Sequence, residues 1–72
     1  MNKGSAGYEI AKYLQDKGGK DSFINIVDSL KWDTGFTNAV VRDMKDLRKT
    51  IEVKGGMVYL TDVGVAELAR LQ

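Results

Sequence analysis

Apolar residues recur along this chain at helical spacing three times, switch to strict alternation, and then return to helical spacing. Ser5 is a good helix N-cap, and Ile10, Tyr13 and Leu14 follow on one face that Ala6 extends backward. Gly18-Gly19 suits the left-handed residue after a helix end, so the first helix is expected over 6–17. Asp21 and Ser22 are both suitable caps for a second helix over 22–30, where Phe23, Ile26, Val27 and Leu30 form one apolar stripe. Lys31, Trp32 and Asp33 connect it to a third helix, capped by Asp33 or Thr34 and expected over 35–48. Its apolar positions are Phe36, Val40, Met44 and Leu47, which leaves Thr37, Asn38, Val41, Arg42 and Lys45 on the opposite, exposed face.

The period then changes. Ile51, Val53, Val58 and Leu60 alternate around Gly55-Gly56, a pair able to take the positive backbone angles of a two-residue hairpin turn. That turn pairs Lys54 with Met57, Val53 with Val58, Glu52 with Tyr59 and Ile51 with Leu60, placing both aliphatic pairs on one face. A slip of one residue would destroy the sorting, so the pattern itself argues for the register. Thr61 then caps a short final helix with Asp62 in its first turn and Val65, Leu68 and Leu71 along its buried edge. Gly64 within that turn is expected to weaken the helix slightly.

An isolated two-stranded hairpin is marginal in water, so its aliphatic face must pack on the helices. The expected fold is therefore α+β and mostly helical: one domain over 1–72, built from a three-helix bundle, a β-hairpin and a short C-terminal helix. The stretch from Thr37 to Leu68, with Asp46-Leu47 leading to Ile51 and Leu60-Thr61-Asp62-Val63-Gly64 closing the hairpin, is similar to the recognition helix, wing and following helix of MarR-like and PadR-like repressors. The resemblance to this winged helix-turn-helix type covers about residues 5–72. Two departures stand out. The long dimerisation helices of full-size MarR-like repressors are missing, and Lys49-Thr50-Ile51 stands where the family often has Gly-Leu-Ile/Val.

Composition narrows the chemistry. The 72 residues include no Cys and no His, which removes disulfides, thiolate or imidazole metal sites, and any thiolate nucleophile or imidazole base. The acidic residues Asp16, Asp21, Asp28 and Glu67 fall on capping or exposed positions. Lys54-Gly55-Gly56 lacks the strand-loop-helix setting of a phosphate loop. A binding protein without catalytic activity, cofactor or small-molecule substrate is expected. No apolar run approaches the roughly 20 residues of a membrane span, and the polar start has no signal-peptide core, so a cytoplasmic setting without membrane contact is expected.

Net charge is only +1, but it is unevenly spread. Residues 31–54 hold six Lys/Arg against four Asp/Glu, while residues 1–30 balance and residues 55–72 carry a net −1. The resemblance implies that the third helix enters the major groove of duplex DNA while the wing reaches the backbone. Carried onto this sequence, it assigns Thr34, Thr37, Asn38, Val41 and Arg42 to the groove-facing positions. Asn38 suits adenine, Arg42 guanine and Val41 a thymine methyl. Thr34 with the amides at the helix start suits a phosphate. Lys45, Lys49, Lys31, Lys54 and Gly55 are assigned to the backbone. So low a net charge limits what one copy can bind, and a homodimer is expected. Two alternatives stand beside this. In one, the cations simply pair with Asp43 and Asp46 on a solvated face. In the other, the domain is a protein-interaction module, which the flanking Asp33, Asp43 and Asp46 favour.

Overall fold

The computed structural model describes residues 1–71. In chain order these form α1 (Ala6–Asp16), β1 (Lys20–Ser22), α2 (Phe23–Leu30), α3 (Thr34–Asp43) continuing into a π-helical turn (Met44–Arg48), β2 (Ile51–Lys54), β3 (Met57–Leu60) and α4 (Asp62–Leu71). The strands make one antiparallel sheet in the order β1-β3-β2. The class is α+β, with four α-helices and a three-stranded sheet. The core is Ile10, Ala11 and Leu14 of α1, Ile26 of α2, Val41 and Met44, Ile51 and Val58 of the hairpin, and Leu68 of α4.

Local chemistry accounts for the helix ends. The Ser5 hydroxyl accepts from the Tyr8 N–H at 3.1 Å. Ser22, rather than Asp21, caps α2 by accepting from the Asn25 N–H at 3.0 Å. Asp33, rather than Thr34, caps α3, its carboxylate accepting from the Phe36 N–H at 3.0 Å. After α1, Gly18 and Gly19 take positive φ (84° and 103°), and the Gly19 N–H donates to the Leu14 carbonyl at 2.8 Å.

The hairpin pairs in the expected register at all four positions, with Gly55 and Gly56 both at positive φ. The third strand was not expected. Lys20-Asp21-Ser22 has no apolar alternation to announce a strand, yet it pairs Lys20 with Tyr59, Asp21 with Val58 and Ser22 with Met57. Two further bonds complete the attachment: the Leu60 N–H donates to the Gly19 carbonyl at 2.8 Å and the Phe23 N–H to the Gly56 carbonyl at 2.9 Å. The hairpin is therefore joined to the helices at its base and near its tip. Asp21 adds a side-chain clasp, accepting from the Tyr13 hydroxyl of α1, from the Asn25 amide and from the Ser22 N–H.

Two expectations about the helices are corrected. The third helix does not stay α-helical through residue 48, and it does not bury Phe36 and Leu47, which are 50% and 75% exposed. Its inner face is Thr37, Val41 and Met44. The Thr37 hydroxyl donates to the Asp33 carbonyl at 2.9 Å, so this polar side chain enters the core with its hydrogen bond made. The wider π turn then rotates Leu47 outward. In α4 the buried edge is Gly64 and Leu68, while Val65 is 47% exposed. Gly64 is more than a weak point in a helix. A Cβ there would run into the Thr50 carbonyl oxygen and lie 2.7 Å from Leu60 Cδ1. Glycine is what allows α4 to rest on the turn before β2.

Gly64→Ala is expected to destabilise the domain by about 2 kcal/mol despite alanine's better helix propensity, because backbone and Leu60 must move; urea unfolding measures it, and an unchanged or raised midpoint would refute the close-packing account. Its hydrogen bonds, the one from Tyr13 foremost, hold the Asp21 carboxyl below its ordinary value of 3.8. Asp21 therefore contributes stability that is present above that value and is lost as pH falls through the lower folded one. The same bond raises the Tyr13 phenol above its ordinary 10.0, a contribution present below that value and lost as pH rises through the folded one. Asp21→Asn is expected to lower stability at neutral pH and to flatten the decline as pH falls below about 4; an acid limb as steep as that of the unmodified chain would show that Asp21 is not its source.

Candidate nucleic-acid interface

Rotation of α3 about its axis decides which of the expected site residues reach solvent. Thr34, Asn38 and Arg42 follow at four-residue intervals and are all exposed. They form a polar row about 12 Å long on one flank of the helix. Lys45 continues it, half exposed, one turn further. Thr37 and Val41 do not belong to this row. They are 0% and 4% exposed and face the core. The assignment of both to base contacts is corrected on that ground: the Thr37 hydroxyl is already bonded to the Asp33 carbonyl, and the Val41 methyls pack inside.

The start of α3 is also less open to anions than expected. The Asp33 carboxylate occupies the Phe36 N–H and puts a negative charge where a phosphate would approach. Lys31 stands just before it, exposed, in the left-handed conformation that ends α2 (φ 57°).

Near the far end of α3, two lysines meet the hairpin. Lys49 is left-handed (φ 60°) and exposed after the π turn. With Lys45 it lines a shallow groove of about 430 Å³ whose other walls are Ile51, Glu52 and Val53 of β2 and Thr61. Lys54 and Gly55 occupy the exposed hairpin tip. The structure thus brings Asn38, Arg42, Lys45 and Lys49 into one run that leads from α3 toward β2, with Lys54 and Gly55 further out on the hairpin.

Ion pairing divides the cations. Asp43 is taken by Arg48 at 3.4 Å and Asp46 by Lys45 at 3.6 Å, both pairs solvent-exposed. Arg42, Lys31, Lys49 and Lys54 make no ion pair among the described residues. The simple explanation of a helix face neutralised by its own acids therefore applies to Lys45 and Arg48 but not to the rest. Exposed pairs of this kind are worth little, so Lys45 and Arg48 exchange partners readily.

Two cations of this surface were not anticipated. Arg48 was hidden by reading the last turn as regular α-helix. Lys20 became visible only through β1, which sets it opposite Tyr59 on the outer sheet face, its ammonium 6.0 Å from the ring centroid. Glu52 follows in the same row, so this face carries both signs.

Chemically, the exposed set can hydrogen-bond base edges through Asn38 and Arg42 and neutralise phosphates through Lys31, Lys49 and Lys54. No cluster of metal-ligating side chains occurs among the described residues, and no helix among them is long and apolar enough to cross a membrane. No family model, curated protein or solved structure matches the chain.

Arg42→Ala and Asn38→Ala are expected to change stability by less than about 0.5 kcal/mol, because neither side chain is buried. Val41→Ala is expected to cost about 2 kcal/mol through the cavity it leaves. Urea melts of the three variants compare them directly, and a Val41→Ala midpoint equal to that of Arg42→Ala would contradict the orientation of α3.

Proposed function

We propose that this chain is a winged helix domain that binds double-stranded DNA as a small transcriptional regulator. In this reading α3 lies in the major groove and the β2–β3 hairpin is the wing on the sugar-phosphate backbone. The observation that carries the reading is the exposed row of Thr34, Asn38 and Arg42, which ends beside Lys49 and the groove under β2. The cation of this row, Arg42, makes no ion pair among the described residues. Asn38 reads adenine through its amide, and Arg42 reads guanine through its guanidinium fork. Thr34 supports the row from the first turn. Lys49, Lys31 and Lys54 set position and affinity by contacting phosphates, and Gly55 lets the wing tip approach closely. Lys45 joins them by giving up its weak contact with Asp46. The domain acts by binding, without cofactor or catalysis.

The energetics follow from charge. Each phosphate neutralised releases condensed counterions, so affinity falls steeply with salt. A domain of net charge +1 has few such contacts to offer. Discrimination therefore rests on Asn38 and Arg42 rather than on bulk attraction.

Titration of isotope-labelled protein with a mixed-sequence duplex tests this. At low salt the amides of residues 34, 38, 42, 45, 49, 54 and 55 are expected to shift, and the shifts to weaken as salt rises. Arg42→Ala is expected to cost about 1–3 kcal/mol against a selected operator and to relax preference at one base position. Lys49→Ala is expected to weaken all sequences alike and lower the salt slope by about one. Unmoved amides at high protein and DNA concentration would sink the reading and leave a protein-interaction module in its place.

A further inference from the structure

The flank of α3 opposite Asn38 mixes apolar and acidic side chains. Asp33, Phe36, Val40, Asp43 and Leu47 succeed one another at three- and four-residue spacing, which aligns them along one side of a helix. Phe36 is 50% and Leu47 75% exposed, the latter because the π turn rotates it out. Beside Val40 and Asp43 of this row lies a cleft of about 550 Å³, apolar at Ala6, Ala39, Val40 and Met44 but charged at Asp43, Arg48 and Glu67, the last paired with the Met1 ammonium at 2.6 Å. The first turn of α1 presents only a methyl group and a glycine to this recess, so nothing there fills it. Leu47 thus projects into solvent, and Phe36, half covered where Trp32 stacks edge-on with ring centroids 5.4 Å apart, stands on the same face as this recess of mixed polarity.

We propose that this face pairs two copies of the chain about a twofold axis, with their α3 helices antiparallel. A twofold interface has to be self-complementary, so projection and recess, and charges of both signs, must share one patch. This patch has all of them. Phe36 and Leu47 stand about 16 Å apart along the helix. An antiparallel partner sets Phe36 of one protomer against Leu47 of the other and closes the recess between them. The same alignment carries Arg48, at the end of one helix, to Asp33, at the start of its partner's. Within its own chain Arg48 makes an exposed 3.4 Å contact with Asp43 and faces Glu67 electrostatically across the cleft. Asp33 uses one carboxylate oxygen for its cap, and the other makes no hydrogen bond among the described residues. Opposite charges at the two ends of one stripe favour antiparallel over parallel pairing, and so do the helix dipoles. Asn38 and Arg42 lie on the other flank and stay uncovered. The pairing stands independently of DNA binding.

Sedimentation equilibrium of the chain without nucleic acid, from about 10 µM to about 1 mM, tests it. A reversible monomer–dimer equilibrium is expected. Leu47→Lys is expected to weaken it by about tenfold or more with far-UV circular dichroism unchanged, since Leu47 is mostly in water; Phe36→Lys is expected to weaken it likewise while also losing the edge-on contact with Trp32. Arg48→Asp and Asp33→Arg are each expected to impair self-pairing, and an equimolar mixture of the two to restore a heterodimer, because both ionic contacts then have opposite signs. If Asp33→Arg fails to fold for want of its cap, the Leu47→Lys result decides alone. A chain that stays monomeric at about 1 mM overturns the proposal. So does a dimer indifferent to Leu47→Lys and Phe36→Lys, which would place the contact elsewhere, for example at the exposed Val63 and Val65 of α4.

Discussion

The backbone at Thr50 is the junction on which the fold depends. Its N–H donates to the Met44 carbonyl and closes the π turn, while its own carbonyl accepts from the Thr61 N–H where the hairpin ends. Thr61 reaches back with its hydroxyl to the Lys49 carbonyl at 2.7 Å and at the same time accepts from the Gly64 N–H. The end of α3, the base of the hairpin and the start of α4 are thus held within a few backbone bonds of one another. Gly64 lies against this junction because any larger residue would enter the space of the Thr50 carbonyl. The Thr50 side chain is buried there with its hydroxyl directed to the Met44 carbonyl, so the polar group adds to the junction instead of weakening it.

What could be read in the sequence was whatever depends on a single periodicity. The hairpin is the clearest case. Gly55-Gly56 and the four alternating aliphatic positions leave one register that sorts the faces, and that register is observed. The helices were legible for the same reason, to within a residue or two at α1 and α2. β1 was not, because its three residues carry no apolar signal. Its existence depends on β3 being adjacent, which is tertiary information. The rotation of α3 was misread because Phe36 and Leu47 satisfy helical spacing as well as Val41 and Met44 do. The tie is broken by a threonine hydroxyl that bonds its own helix and by an irregular last turn. Gly64 shows the opposite error. A propensity scale sees a helix weakened by glycine, whereas the packing shows a contact that needs the missing side chain.

Those same facts reshape the candidate site. Of the ten residues singled out from the sequence, Thr37 and Val41 belong to the core, and the others reach solvent to varying degrees. The buried pair was lost through the one rotation just described. At its far end the remaining polar row stands out because Asp43 and Asp46 already have partners in Arg48 and Lys45. α3 is therefore a three-sided element. One side builds the core, one is polar and basic, and one carries Phe36, Val40 and Leu47 together with Asp33, Asp43 and Arg48. A helix in a chain this short carries several roles because few surfaces are left to share them.

The anchoring of the hairpin has a consequence for recognition of any kind. A two-stranded ribbon attached only at its base would sample many orientations, and a ligand would have to select one at an entropic cost. Here β1 runs alongside β3, and the Phe23 N–H holds the Gly56 carbonyl beside the turn. The ribbon is thereby converted from a hinged arm into a fixed ledge, and its geometry relative to α3 is settled during folding. Any ligand of this surface would meet a preformed shape, and the cost of adapting would fall on the ligand.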